Sequence, residues 1–123
     1  MEIVFFYDTY AFAEIIAGNP AYATYTKEVE CITTRLNLME LYYVVLRVQG
    51  KEAAELQYAR FLKHCISFSN MDIKEACQFK FEHKSKNVSY IDCLGYVMAL
   101  RRGAKFLTGD TAFKGLTNVE FVR

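Results

Sequence analysis

Apolar residues arrive along this chain in short runs, and the period of the runs alternates between that of strands and that of helices. Residues 2–7 form a β-rich run bounded by Asp8, and residues 9–17 are helix-compatible and end at Gly18. Asn19-Pro20 breaks the chain and can start a second short helix. Residues 30–33 read as a second strand. Residues 35–48 are the strongest helix, with Leu36, Met39, Tyr43 and Leu46 at the 3-4-3 spacing of a buried stripe, and Gly50 ends it. Residues 51–64 form another amphipathic helix, with Leu56, Ala59, Phe61 and Leu62 expected inward. Residues 65–68 are a third strand, and Asp72-x-x-Glu75 is a capping-box-like start for a helix to about Lys84. After a polar loop, Ser89 caps a helix that ends at Gly103. Residues 104–108 and 119–122 are the fourth and fifth strands, with a short turn or helix after Asp110. Strands separated by helices predict a parallel sheet covered on both faces.

Lone carboxylates interrupt three of the apolar runs. Asp8 is the only charge in IVFFYDTYAFA, Glu40 in LNLMELYYVVL and Asp92 in YIDCLGYVMAL. Burying an isolated carboxylate is costly unless it finds a partner or a proton. In a parallel α/β sheet, function gathers outside the carboxyl ends of the strands. Asp8 follows the first strand and Asp110, in FLTGD, follows the fourth, while Glu40 and Asp92 are expected in the first turns of their helices. Taken singly, each has a plainer reading as a cap: Asn37-x-x-Glu40 and Ser89-x-x-Asp92 fit capping boxes, and Asp8 and Asp110 fit N-caps. Together they point to a shared cleft. Two like charges about 4 Å apart cost roughly 4 kcal/mol at an effective dielectric of 20. A divalent cation relieves this, and oxygen ligands favour Mg²⁺ or Mn²⁺. No histidine lies in these segments, which argues against zinc.

The chain has 123 residues, which suits one domain spanning 1–123, and 53% of them are hydrophobic, enough for a real core. The net charge of +1 does not argue for a strongly basic nucleic-acid binder, nor does it exclude nucleic acid. The acidic, short-runned N-terminus is no signal peptide and no run is long enough to span a membrane, so a cytoplasmic protein is expected. Cys31, Cys65, Cys77 and Cys93 form no C-x-x-C pair and are expected as buried small hydrophobes, a Cys31–Cys65 disulfide being the alternative.

FFYDTYAF, LNLMELYYVVL, SYIDCLGYVMALRRGAKFLTGD and VEFV together resemble a PIN domain, close to the VapC-type toxins of toxin–antitoxin pairs. The resemblance covers essentially the whole chain. It implies a three-layer α/β/α domain with a central parallel five-stranded sheet. It also implies a metal-dependent endoribonuclease using Mg²⁺ or Mn²⁺, with Asp8, Glu40, Asp92 and Asp110 as its acidic cluster. Asp8 and Asp92 are the expected direct ligands, Asp110 an orienting or second-metal ligand, and Glu40 a ligand through water or a base. Thr9 and Thr108 match the hydroxyl residues that accompany the first and last acids. Tyr10 departs from the small polar residue common there, and Thr111-Ala112 lacks the further acid that many relatives carry, which puts a full second metal site in question. A homodimer and a cognate antitoxin are further expectations of the resemblance.

Arg35, Arg101, Arg102 and Lys114, with Lys84, Lys86 and Lys105, are candidates to hold an RNA backbone, the plainer reading of each being a solvated surface. Tyr10 and Tyr90 flank site residues and can stack on bases, with core packing the plainer role. His64 and His83 lie outside the acidic motifs. A haloacid dehalogenase-type phosphatase would need an acid where Tyr10 and Lys114 stand. A response-regulator receiver would need adjacent acids after the first strand and would leave Glu40 and Asp92 unexplained. The alternative from another class is a PIN protein of RNA processing, or a scaffold that binds RNA without cutting it.

Overall fold

Four strands, β1 (Val4–Tyr7), β2 (Glu30–Ile32), β3 (Lys105–Thr108) and β4 (Val119–Phe121), pair in the order β2-β1-β3-β4. Every pairing is parallel: Phe6 lies opposite Ile32 on one side and Phe106 on the other, and Thr108 lies opposite Phe121. The computed structural model describes residues 3–27 and 30–123, so Glu2, expected to open the first strand, lies outside the described residues. The chain steps outward from β1 to β2 on one side and from β3 to β4 on the other. The strand order therefore reverses between β1 and β3, which opens a crevice at their carboxyl ends.

Alternation along the strands builds two cores. Phe6 and Phe106 face one side, where α4 (Asn70–Glu82) and α5 (Tyr90–Arg101) cover them with Ala76, Leu94, Tyr96 and Met98. Phe5, Tyr7 and Leu107 face the other side, against Phe12 of α1 (Thr9–Ala17), Leu38, Leu41 and Val45 of α2 (Arg35–Gln49) and Phe61 of α3 (Lys51–Leu62). This is the expected three-layer domain. A 3-10 segment, Pro20–Thr26, stands where a second short helix was expected, with Pro20 in its first turn.

The sheet has four strands among the described residues, where five were expected. The run at 65–68 contributes one parallel bridge, Thr33 to Cys65. Thr33 N–H donates to the His64 carbonyl at 3.0 Å, and Ile66 N–H donates to the Thr33 carbonyl at 2.9 Å. Pairing stops there because β2 has only Thr33 left to offer before Thr34 caps α2.

Two helix faces differ from their expected orientation. On α2 the buried residues are Asn37, Leu38, Leu41 and Val45, whereas Met39 and Tyr43 are 57% and 63% exposed. The helix is apolar on more than one face, so spacing alone does not single out the stripe that meets the sheet. On α3, Ala54 and Phe61 are buried, whereas Leu56, Ala59 and Leu62 are exposed. The small Ala54 side chain lets α3 lie close to α2 across the turn at Gly50. The helix expected from Asp72 starts earlier: Ser69 is its N-cap and Asp72 the third residue of a complete capping box. Of the four thiols, all free, only Cys93 is buried; Cys31 and Cys65 are half-buried and Cys77 is exposed.

Gly95 sets the distance between α5 and the sheet. A Cβ there would stand 2.7 Å from a Phe6 ring carbon and 3.2 Å from one of Phe106. Both rings are fully buried and cannot retreat. Gly95→Ala is expected to cost about 1–3 kcal/mol by overpacking, read as a lower urea midpoint at an unchanged m-value.

Candidate active site

The crevice at the ends of β1 and β3 is a cleft of about 340 Å³, and Asp8, Glu40, Asp92 and Asp110 all line it. Four carboxylates up to a hundred residues apart in sequence are thus brought to one place. Thr9, Tyr10, Val44, Gly109, Thr111 and Arg123 complete the lining.

Local backbone chemistry fixes two of the acids. Asp8 N–H donates to the Leu107 carbonyl at 3.3 Å, continuing the parallel ladder one residue past β1. Its Oδ1 accepts the Ala11 N–H at 2.8 Å, so Asp8 is the N-cap of α1 while being only 1% exposed. Asp110 caps the 3-10 turn Thr111–Phe113 in the same way, its Oδ1 accepting the Ala112 N–H at 3.0 Å. Thr108 lies between the pair: its hydroxyl accepts the Asp110 N–H at 3.0 Å and is near enough to the Asp8 carboxyl to favour its charged form. For these two residues the cap and the site are one arrangement.

The other two acids are not caps. Thr34, not Asn37, is the N-cap of α2, which leaves Glu40 a turn deeper in the helix than expected. Thr34 Oγ1 donates to Asn37 Oδ1 at 2.6 Å, Asn37 Nδ2 donates to Thr9 Oγ1 at 3.4 Å, and Thr9 Oγ1 donates to Glu40 Oε1 at 2.5 Å. This directed chain from a buried asparagine holds the Glu40 carboxylate at the cleft. Asn37 is a positioning residue, whereas the sequence reads it as a cap. At α5, Ser89 Oγ accepts the Asp92 N–H at 3.1 Å, so Ser89 is the cap and Asp92 sits in the first turn as expected.

The profile of the PIN domain family matches residues 5–118. The chain belongs to the PIN domain family. Among solved structures it is similar to the Mycobacterium tuberculosis toxin VapC20, described as cleaving the sarcin-ricin loop, with 18% identity, a TM-score of 0.81 and 97% and 99% of the two chains covered. It is also similar to VapBC2 from Rickettsia felis, solved bound to a promoter DNA fragment, with 20% identity, a TM-score of 0.76 and 98% and 100% covered. A toxin–antitoxin complex from Klebsiella pneumoniae gives 15% identity, a TM-score of 0.73 and 94% of each chain. At these identities the likeness is one of fold. No curated protein matches the sequence. Family membership supports a nuclease, a hydrolase, as the role of the cleft.

Charge is concentrated in this PIN domain's cleft. Burial pushes Asp8 up to about 8, with Asp92 and Asp110 adding to the rise and Thr108 and the bond from the Ala11 N–H opposing it. Burial, then the neighbouring Glu40, pushes Asp92 up to about 6 against the bond from Ser89, with Asp110 adding to the rise. The donors are carboxylate and hydroxyl oxygens, with no thiol or imidazole in the lining, which is the chemistry of a hard divalent ion. Among the described residues no group of three or more His, Cys, Asp or Glu is arranged to hold an ion as it stands. The fit is therefore one of donor type and shared location: each carboxylate keeps lone pairs that its local hydrogen bonds do not use.

The expected RNA-binding cations are not gathered at the cleft. Arg101 and Arg102 lie at the far end of α5, about 15 Å along the helix axis from Asp92 at 1.5 Å per residue. There they pair with buried Asp72, at 3.0 Å each, and Arg101 also with Glu75 at 2.9 Å. The bond from Arg102, chiefly, holds Asp72 down at about 2. Arg35 opens α2 beside Cys65 and Ile66, outside the cleft. Lys114 follows the Asp110 turn with its ammonium 5.3 Å above the Phe121 ring, and Lys86 Nζ donates to the Ala112 carbonyl at 3.2 Å. Arg123, which no motif in the sequence marks, does line the cleft. Among the described residues no helix is long and apolar enough to cross a membrane.

An acid whose folded-state value is raised binds more protons folded than unfolded, so stability falls as pH rises. With chelator present, the melting temperature is expected to fall from about pH 4 upward, through the values near 6 and 8 of Asp92 and Asp8. Asp8→Asn is expected to flatten the fall above pH 6. Millimolar Mn²⁺ is expected to raise the wild-type melt most at the alkaline end, since binding competes with protons. Thermal melts across pH 4–8 check all three.

Proposed function

We propose that this PIN domain is an endoribonuclease that hydrolyses phosphodiester bonds with Mg²⁺ or Mn²⁺, and that it is the toxin of a toxin–antitoxin pair. The observation that carries the enzymatic reading is the convergence of Asp8, Glu40, Asp92 and Asp110 on one cleft at the sheet's switch point. When bound, the divalent ion supplies a Lewis acid for a phosphate oxygen and a water of lowered pKa. Asp8 and Asp92 would hold it. Asp110, fixed by the Ala112 N–H and with its own N–H on the Thr108 hydroxyl, would orient the site or hold a second ion. Glu40 would accept a proton or reach the ion through water, with the Thr9 hydroxyl bound to one of its oxygens.

The toxin reading rests on the folds it resembles, among them a toxin–antitoxin complex and VapBC2. An antitoxin partner and a homodimer go with it. The apolar side chains that α2 and α3 leave exposed, Met39, Tyr43, Leu46, Val48, Leu56 and Leu62, are surface for such partners to cover.

Asp92→Asn is expected to reduce RNA cleavage below about 1% of wild type with the fold intact, as loss of a metal ligand exceeds the 10- to 100-fold cost of losing its supports. Mass spectrometry of a cleaved oligonucleotide should find 5′-phosphate and 3′-hydroxyl ends. A 2′,3′-cyclic phosphate as the primary product would mean that the 2′-hydroxyl, not water, attacks.

A further inference from the structure

Among the ten residues that line the acidic cleft, Arg123 is the only cation. Its side chain is exposed, and among the described residues it makes no salt bridge, although four carboxylates line the same cleft. The backbone that delivers it is held from two sides. Val122 N–H donates to the Thr108 carbonyl at 2.9 Å, and the Val122 carbonyl accepts the Tyr22 hydroxyl at 2.6 Å. Arg123 is therefore presented from a fixed stem that runs beside Thr108-Gly109-Asp110, and its guanidinium is left unused.

Tyr10 lines the cleft on the same lip. Its ring lies against Gly109, where any Cβ would collide with the Tyr10 ring and stand 2.5 Å from the Val122 carbonyl oxygen. Arg123 lines the same cleft, carried on the residue after Val122. Gly109 thus lets the Tyr10 ring and the backbone that carries Arg123 approach each other beside the acids. Single-stranded nucleic acid is gripped by this combination, an aromatic surface for a base and a cation for the backbone. A paired base offers no free face to such a ring.

We propose that Tyr10 and Arg123 form a clamp for one unpaired ribonucleotide next to the scissile phosphate, with Arg123 on the adjoining phosphate and Tyr10 stacked on the base. The clamp makes the substrate class single-stranded or looped RNA. It deepens the nuclease reading and rests on it.

The test is equilibrium binding of a short fluorescent single-stranded RNA to the Asp92→Asn protein across a salt series. Adding Arg123→Ala should weaken binding several-fold and lower the slope of log affinity against log salt by about 0.7, one phosphate contact on a single strand. Arg123→Lys should keep the slope. Tyr10→Ala should weaken binding by about 5- to 150-fold, the range for one stacked base, with the slope unchanged, and Tyr10→Phe should bind as the parent does. Calorimetry should give Arg123→Ala a Mn²⁺ affinity no lower than that of the wild type. A parent protein that does not bind the strand, or an unchanged affinity and slope in Arg123→Ala, overturns the clamp. So does a loss of Mn²⁺ affinity, which would make Arg123 an organiser of the acids. Cleavage plays no part in the readout. A wild-type protein that binds through these residues but never cuts would sink the nuclease reading and leave the clamp standing.

Discussion

The structure turns on a carboxylate that is placed where it is least comfortable. Asp8 is almost fully out of water, and Asp92 and Asp110 lie near enough to resist its charge. It stays there because the backbone leaves it no choice. The ladder carries β1 one residue past its last strand position to Leu107, and the first turn of α1 needs a cap. The groups that favour its charge, the Ala11 amide and the Thr108 hydroxyl, come from the two elements that flank the cleft. The switch in strand order supplies the crevice, and Asp8 with its neighbours fills it with unbalanced charge. A positively charged ligand is the natural counterweight.

The two ends of α5 show how differently the fold treats its charges. At its start, Asp92 faces other acids and is pushed toward protonation, although the helix N-terminus itself favours an anion there. At its end, Arg101 and Arg102 pair with Asp72 of α4 and hold it ionised. One end stabilises the packing of two helices. The other gathers acids at a cost in stability, the kind of place where a chain departs from local consistency.

Much of the site was legible because its signals are local. A single charge within an apolar run is visible without knowing the fold, and Asp8, Glu40 and Asp92 each stand that way. Asp110 needed only its place after a strand. What the sequence hid depends on contacts between distant segments. Asn37 looks like a cap until Thr34 is seen to occupy that position, and its link to Glu40 runs through Thr9 on another helix. Arg123 has no motif; the bonds of Val122 to Thr108 and Tyr22 bring it to the cleft. The helix faces were misread for a related reason. Apolar residues ring much of α2, and the choice between stripes is made by the sheet beneath. The fifth strand was lost to length, since β2 runs out of residues to pair.

That shortness has a meaning for how the molecule meets others. A sheet edge with unpaired backbone groups is a template onto which another chain can add a strand. Here both outer strands, β2 and β4, are three residues long, and β2 is already closed at Thr33 by its bridge to Cys65. Among the described residues, neither edge offers a run of amides long enough to zip a neighbour into register. What the helices expose instead is side chains, where shape and sequence discriminate, and not the backbone, which all proteins share. Short edges thus leave selectivity to surfaces that can tell one neighbour from another.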